Sequence, residues 1–277
     1  MLTWWRRWRD ARARQQRAIP DALWLDTLRR LPFLKRRPLA DLLKLRQDCA
    51  VFLDRHEFHG AGGLVVTDEM AVAIAAQACL PVLHLDLAAY DGFVGIVLHP
   101  GEVTAQRQWI DEDGVCHEGS EELAGEAMPG GPVMLAWSEV AASGETAEDG
   151  YNVVIHEFVH VLDMLDGEAD GVPPLPDAGA RRHWLQVMQA AHARLVRQVE
   201  SGEPTALDPY GVHGLEEYFP VASEAFFVAP ELLLAHEPAV YALLASHFRQ
   251  DPASVDADPA VLRPRAPRKP RAADRRP

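Results

Sequence analysis

Cysteine is scarce in this 277-residue chain. Cys49, Cys79 and Cys116 are odd in number and never stand as C-x-x-C. That excludes a disulfide framework and a thiolate zinc site, and fits a reducing cytoplasm. Long hydrophobic runs are missing too: no stretch approaches the ~20 apolar residues of a membrane span. The start, MLTWWRRWRDARARQQRAIP, is not followed by the apolar segment of a secretory signal. No internal repeat is visible, and no linker-like stretch interrupts residues 18–262, which read as a single domain.

Basic charge is thin in the middle of the chain. Residues 1–17 hold six Arg and one Asp, and residues 263–277 hold seven Arg or Lys and one Asp, yet the whole chain carries −14. The body between them is therefore strongly acidic and repels nucleic-acid backbones, so no direct nucleic-acid binding is expected. Residues 1–17 read as a basic arm, with Trp4, Trp5 and Trp8 near helical spacing as in a surface-lying segment. Residues 263–277, RPRAPRKPRAADRRP, read as a disordered basic tail.

What the sequence does have is enough apolar content, 48%, to build a core. Leucines at three- and four-residue spacing over 21–57, broken near Pro32 and Pro38, predict two or three short amphipathic helices. A Gly-rich turn, a brief strand at Leu64–Val66 and an N-cap at Thr67 or Asp68 lead into an almost wholly apolar helix. FVGIVLHP (93–100) reads as a strand, and QWIDEDGVCHEG as a hairpin about Asp113-Gly114. GPVMLAWSEV, starting at Gly131, reads as an edge strand beside a cleft, where an extended peptide finds backbone partners. Helices are expected near 152–163, over 180–200, 215–229 and 231–250.

The segment NVVIHEFVHVLD (152–163) carries the chemistry. At about 100° per residue, His156 and His160 lie some 40° apart on one helical face, and Asp163 returns to that face. Val153, Val154, Phe158, Val161, Leu162 and Leu165 cover the other faces, so the helix should be buried. Buried imidazoles and carboxylates are costly unless a divalent cation compensates them. Glu157, beside His156, points past such an ion and suits a general base. HEFH at 56–59 has histidines three apart and no comparable helix around it, so it is set aside. No H-E-x-x-H-x-x-G-x-x-H continuation follows, which excludes the three-histidine arrangement. A third ligand must come from another helix, and LEEYFPVASEAFF (215–227) offers Glu216, Glu217 and Glu224. Glu217 and Glu224 share a face about 10 Å apart, while Glu216 turns toward solvent.

Together the segments GLVVTDEMAVAIAAQACLPVL, GPVMLAWSEV, GYNVVIHEFVHVLDMLDG and DPYGVHGLEEYFPVASEAFFVAPELL, with the DP after the last helix, are more specific than the pentapeptide. Over residues 18–252 the chain resembles the Mlc titration factor A family of zinc peptidases, and more distantly the protease domain of anthrax lethal factor. The resemblance implies an α+β, mainly helical, gluzincin-like metallopeptidase with a small sheet next to the HExxH helix. It implies one Zn2+ held by His156, His160 and Glu217, with Glu157 as base and Tyr210 over the metal as oxyanion donor. Glu224 would support the ligands from behind, as would Asp163 on the helical face of the histidines. It also implies aminopeptidase-type hydrolysis of peptides in the cytoplasm, and the repressor Mlc as a partner. Pro220 departs from the family pattern, which has a small residue there; its cost is small if the helix begins near Glu216. The alternative is a non-catalytic, zinc-containing regulator that sequesters a transcription factor, but a base plus three ligands favours catalysis.

Overall fold

The computed structural model describes residues 10, 12, 13, 17–110 and 116–254, the side chains of 105–110 and 116–122 excepted. Most of the basic arm, the Asp113-Gly114 turn and the whole basic tail lie outside the described residues. The rest is mainly helical, with a small mixed sheet.

Helices α1 (Asp21–Arg30) and α2 (Leu39–Arg55) flank a 3-10 turn at Pro32–Arg36, the two prolines breaking the leucine pattern as expected. Strand β1 is Glu57–Gly60, followed by α3 (Asp68–Ala78). The strand expected at Leu64–Val66 is instead a loop, because the sheet takes up Glu57–Gly60, one residue beyond the end of α2. Thr67 caps α3 by accepting from the Met70 N–H at 3.3 Å, and Asp68 and Glu69 complement the positive helix end.

Strands β2 (Gly95–His99), β3 (Val103–Ile110), β4 (Cys116–Leu123), β5 (Gly125–Ala127) and β6 (Val133–Ala136) follow. The four-stranded sheet runs β1-β2-β6-β5, with β1, β2 and β6 parallel and β5 antiparallel. β3 and β4 form a separate antiparallel ribbon from Val103↔Leu123 to Ile110↔Cys116, the hairpin read from the sequence. The ribbon leaves the sheet after β2, and the chain re-enters as β5. That corrects one expectation: β6 is interior, β5 is the edge, and Trp137 already opens α4 (Trp137–Thr146).

Helix α5 (Val153–Asp163) lies across β5 and β6 and against α3 and α7 (Leu215–Val228). The long α6 (Ala178–Ser201) is capped by Asp177, which accepts from Gly179 and Ala180, and ends at left-handed Gly202. The expected 231–250 helix is two, α8 (Pro230–His236) and α9 (Pro238–Phe248). Pro238, unable to donate to the preceding turn, starts α9 at its favoured first position.

All of α5 is buried except His160, which is half-buried. Beneath it Phe158 meets Tyr90, Phe93 and Phe52 at ring-centroid distances of 5.0, 5.5 and 5.6 Å, edge to face. This aromatic floor holds the helix against α2 and against the segment that leads into β2. Phe158→Ala is expected to lower stability by about 3–5 kcal/mol in urea unfolding; a loss below about 1 kcal/mol would show that the floor is not what seats α5.

Candidate metal centre

Asn152 begins the site. Its side-chain oxygen caps α5 by accepting from the Ile155 N–H at 2.9 Å. Its amide donates to Gln77 Oε1 at 2.7 Å, tying α5 to α3. Its own backbone N–H donates to Glu224 Oε2 on α7 at 2.5 Å. Glu224 Oε1 lies 2.7 Å from His156 Nδ1. A proton held on Nδ1 by this carboxylate leaves Nε2 as the lone-pair nitrogen, aimed away from Glu224.

On that side three donors converge. His156 Nε2 is 3.2 Å from His160 Nε2 and 3.2 Å from Glu217 Oε2, and His160 Nε2 is 3.4 Å from the same oxygen. A tetrahedral ion bonded at ~2.0–2.1 Å would set neighbouring ligand atoms ~3.3 Å apart. The triangle therefore fits a divalent cation. Among the described residues no other group of three such side chains comes together in this way. His56 and His59 do not join: His56 stacks on Phe93 at 4.2 Å, and exposed His59 meets Glu57 at 3.2 Å.

The electrostatics are those of a site short of positive charge. Burial alone would lower the His156 pKa, but Glu224, Glu217 and Glu157 around it prevail and raise it well above the usual value. Burial would raise Glu217, yet its hydrogen bonds to His156 and His160, and their charge, hold it well below the usual carboxylate range. Burial raises Glu157 and Glu224, each opposed by His156.

The other residues singled out from the sequence are placed as follows. Glu157 is buried on α5 with its carboxylate against the edge strand: a Cβ on Gly125 would lie 2.6 Å from Glu157 Oε1. Tyr210, half-buried in the 3-10 turn Pro209–His213, has its ring centroid 6.0 Å from that of His156. Asp163 accepts at one oxygen from the Gly171 N–H at 2.8 Å, and its other oxygen is buried without a hydrogen bond. Glu216 folds back over Gly214, off the cluster.

The chain's own sequence places it among known proteins. Residues 3–249 match the family described as glucose-regulated metallo-peptidase M90. The chain belongs to this family. It is 40% identical over 194 residues to Mlc titration factor A of Pectobacterium atrosepticum, covering 68% of this chain and 71% of that relative. It is 34% identical over 243 residues to Mlc titration factor A of Serratia proteamaculans, covering 86% and 90%. It is also 34% identical over 249 residues to an uncharacterized protein of Synechocystis, covering 88% and 90%. The M90 match reaches back to residue 3, into the basic arm that the resemblance had left outside.

Three residues of this M90 member escaped the sequence reading. Asn152 carried a usable signal, a capping residue just before an apolar run. Gly125 carried a weaker one, a glycine between strands, where close backbone approach is common. Exposed His213, with its ring 5.1 Å from that of Tyr210, carried none.

Asp163 yields a pH prediction. Burial, partly offset by the Gly171 N–H, raises its carboxyl from 3.8 to about 7. Between those values the folded state holds a proton that the unfolded state lacks, so this group's stabilisation falls as pH rises and is gone above about 7. In metal-free protein, stability relative to Asp163→Asn should drop by up to ~1.4 kcal/mol per pH unit across that window. Urea unfolding at several pH values checks it; parallel profiles would overturn it.

Proposed function

We propose that this chain is a zinc-dependent, gluzincin-like peptidase of aminopeptidase type, with His156, His160 and Glu217 as the metal ligands. The donor triangle, closed by one carboxylate from a second helix, is the observation that carries the reading. Family membership supports the metallopeptidase class. The aminopeptidase type and a cytoplasmic setting rest on the resemblance alone; among the described residues no helix is long and apolar enough to cross a membrane.

Zinc, when bound, lowers the pKa of a coordinated water toward ~7 and polarises the scissile carbonyl. The protein's own residues do the rest. Glu157, pressed against β5, accepts a proton from the attacking water and passes it to the leaving amine. Tyr210 donates its hydroxyl proton in a hydrogen bond to the oxyanion that develops at the carbonyl. Glu224 keeps the proton of His156 on Nδ1, so that Nε2 faces the ligand cluster. β5 pairs only with β6 among the described residues, so its other side is open to an extended peptide, which would then run past Glu157.

A second reading has its own support. Relatives bearing the name Mlc titration factor A point to titration of Mlc, so regulation by binding that repressor is proposed as a companion role. In a purely regulatory protein Glu157 would be expendable.

Glu217→Ala is expected to lose most bound metal and all hydrolysis of amino-acid arylamides, and Glu157→Gln to keep the metal while turnover falls by about 10²-fold or more. Elemental analysis beside a chelator-sensitive assay reads both; full occupancy in Glu217→Ala would reject the ligand assignment, and full activity in Glu157→Gln would reject catalysis. Tyr210→Phe should keep metal and lose about 10²–10³ in kcat. Gly125→Ala, by pushing the Glu157 carboxylate aside, should lower kcat with the metal retained; unchanged kinetics would show that the edge strand does not set the base.

A further inference from the structure

A cavity lies apart from the metal cluster and shares no residue with it. It is a half-open pocket of about 490 Å³ beyond the C-terminal end of α5. That is within the ~300–1,000 Å³ usual for small-molecule sites. Its apolar wall comes from Leu162 and Leu165 after the histidines, from Pro173–Pro176 in the following loop, and from Trp184 on α6. Trp184 is held rigidly, its indole N–H donating to the Gly171 carbonyl at 2.8 Å.

The polar groups on the lining are few: Asp86, His183, Ser246, His247 and Arg249. Arg249 is exposed at the rim of the cavity, and its backbone is unusual. It is the one described non-glycine residue with a left-handed backbone, at φ 54°. It closes α9 there, where glycine would cost less. Its guanidinium also has no ion pair or hydrogen bond among the described residues. Asp86, the carboxylate on the lining, is engaged in accepting from the Ala88 N–H at 2.9 Å and does not pair with Arg249. Burial, and then the charge of Arg249, push His247 down to about 4, so its ring is neutral at pH 7 beside the cation. An arginine kept in a costly conformation, unpaired, at the mouth of an apolar cavity has the makings of an anion anchor.

We propose that this cavity binds a small amphipathic anion, its aromatic-sized apolar body against the leucine, proline and tryptophan wall and its single carboxylate, sulfonate or phosphate head at Arg249. The site stands independently of the metal centre, because neither its residues nor its test involves metal or turnover.

The test is calorimetric titration with two probes of one shape, 8-anilinonaphthalene-1-sulfonate and its uncharged counterpart N-phenyl-1-naphthylamine. The full chain should bind the sulfonate once per molecule, and the uncharged probe more weakly. Arg249→Gly, which suits the left-handed backbone, should weaken sulfonate binding about tenfold and leave the uncharged probe unchanged. Ala180→Trp, which fills the cavity, should abolish binding of both; Ser246→Trp serves if the first variant melts early by circular dichroism. No one-to-one sulfonate binding, equal affinity in Arg249→Gly, or undiminished binding in a folded cavity-filled variant would each overturn the proposal. Carboxylate and phosphate analogues of the same body then separate the two head groups by affinity.

Discussion

The hydrogen bond between His156 Nδ1 and Glu224 Oε1 is the contact on which the site is organised. It joins α5 to α7 at a point where both side chains are buried. A carboxylate and an imidazole are poor core residues singly, and each makes the other tolerable only while the two helices stay in register. The same carboxylate binds the Asn152 N–H, so the start of α5 is fixed by the partner helix as well as by its own cap. Through Gln77 the fixation reaches α3. Rotation of α5 would break all of these bonds together. The orientation of Nε2 is thus determined by three helices rather than by the histidine's own rotamer.

Around His156 as a whole, negative charge is in excess. Three carboxylates, Glu157, Glu217 and Glu224, act on its imidazole and raise its pKa, so positive charge is favoured at this centre, where Glu217 and His160 are half-buried. A divalent cation would supply the same charge without a proton. Glu217 also sits in the first turn of α7, where the positive helix end favours a carboxylate and eases its desolvation. Pro220 lies one turn further on, inside the helix. It has no N–H to offer the Glu216 carbonyl. Because α7 begins at Leu215, that loss falls within the opening turns, and the Tyr218 N–H still reaches the Gly214 carbonyl at 2.9 Å.

The sheet contributes by shape. β5 is only Gly125–Ala127, yet it places a residue without a side chain against the Glu157 carboxylate. A larger residue would drive that carboxylate out of its place, so the glycine is required by close approach rather than by a turn. The ribbon β3–β4 leaves the sheet before β5 and returns the chain in the antiparallel direction, which leaves β5 at the edge.

The helical parts of this fold were legible because they are local. The apolar periods of α2, α5 and α6, the Thr67 cap, the prolines between helices and the β3–β4 hairpin each follow from neighbouring residues and short-range sterics. The His156 and His160 pair was legible for the same reason, two residues four apart on one helical face. The 100° between neighbouring helix positions set Glu216 aside, while the choice of Glu217 for the ion and Glu224 for support came with the family resemblance. Tertiary structure alone decided which strand stands at the edge, since strand order depends on where a hairpin exits the sheet and not on the composition of any strand. It alone turned Asp163 to Gly171, set Gly125 against Glu157, and brought α7, sixty-odd residues downstream, close enough to complete the donor triangle. Those outcomes rest on contacts between distant segments, and no local pattern of residue types encodes the distance between two helices once the core between them has packed.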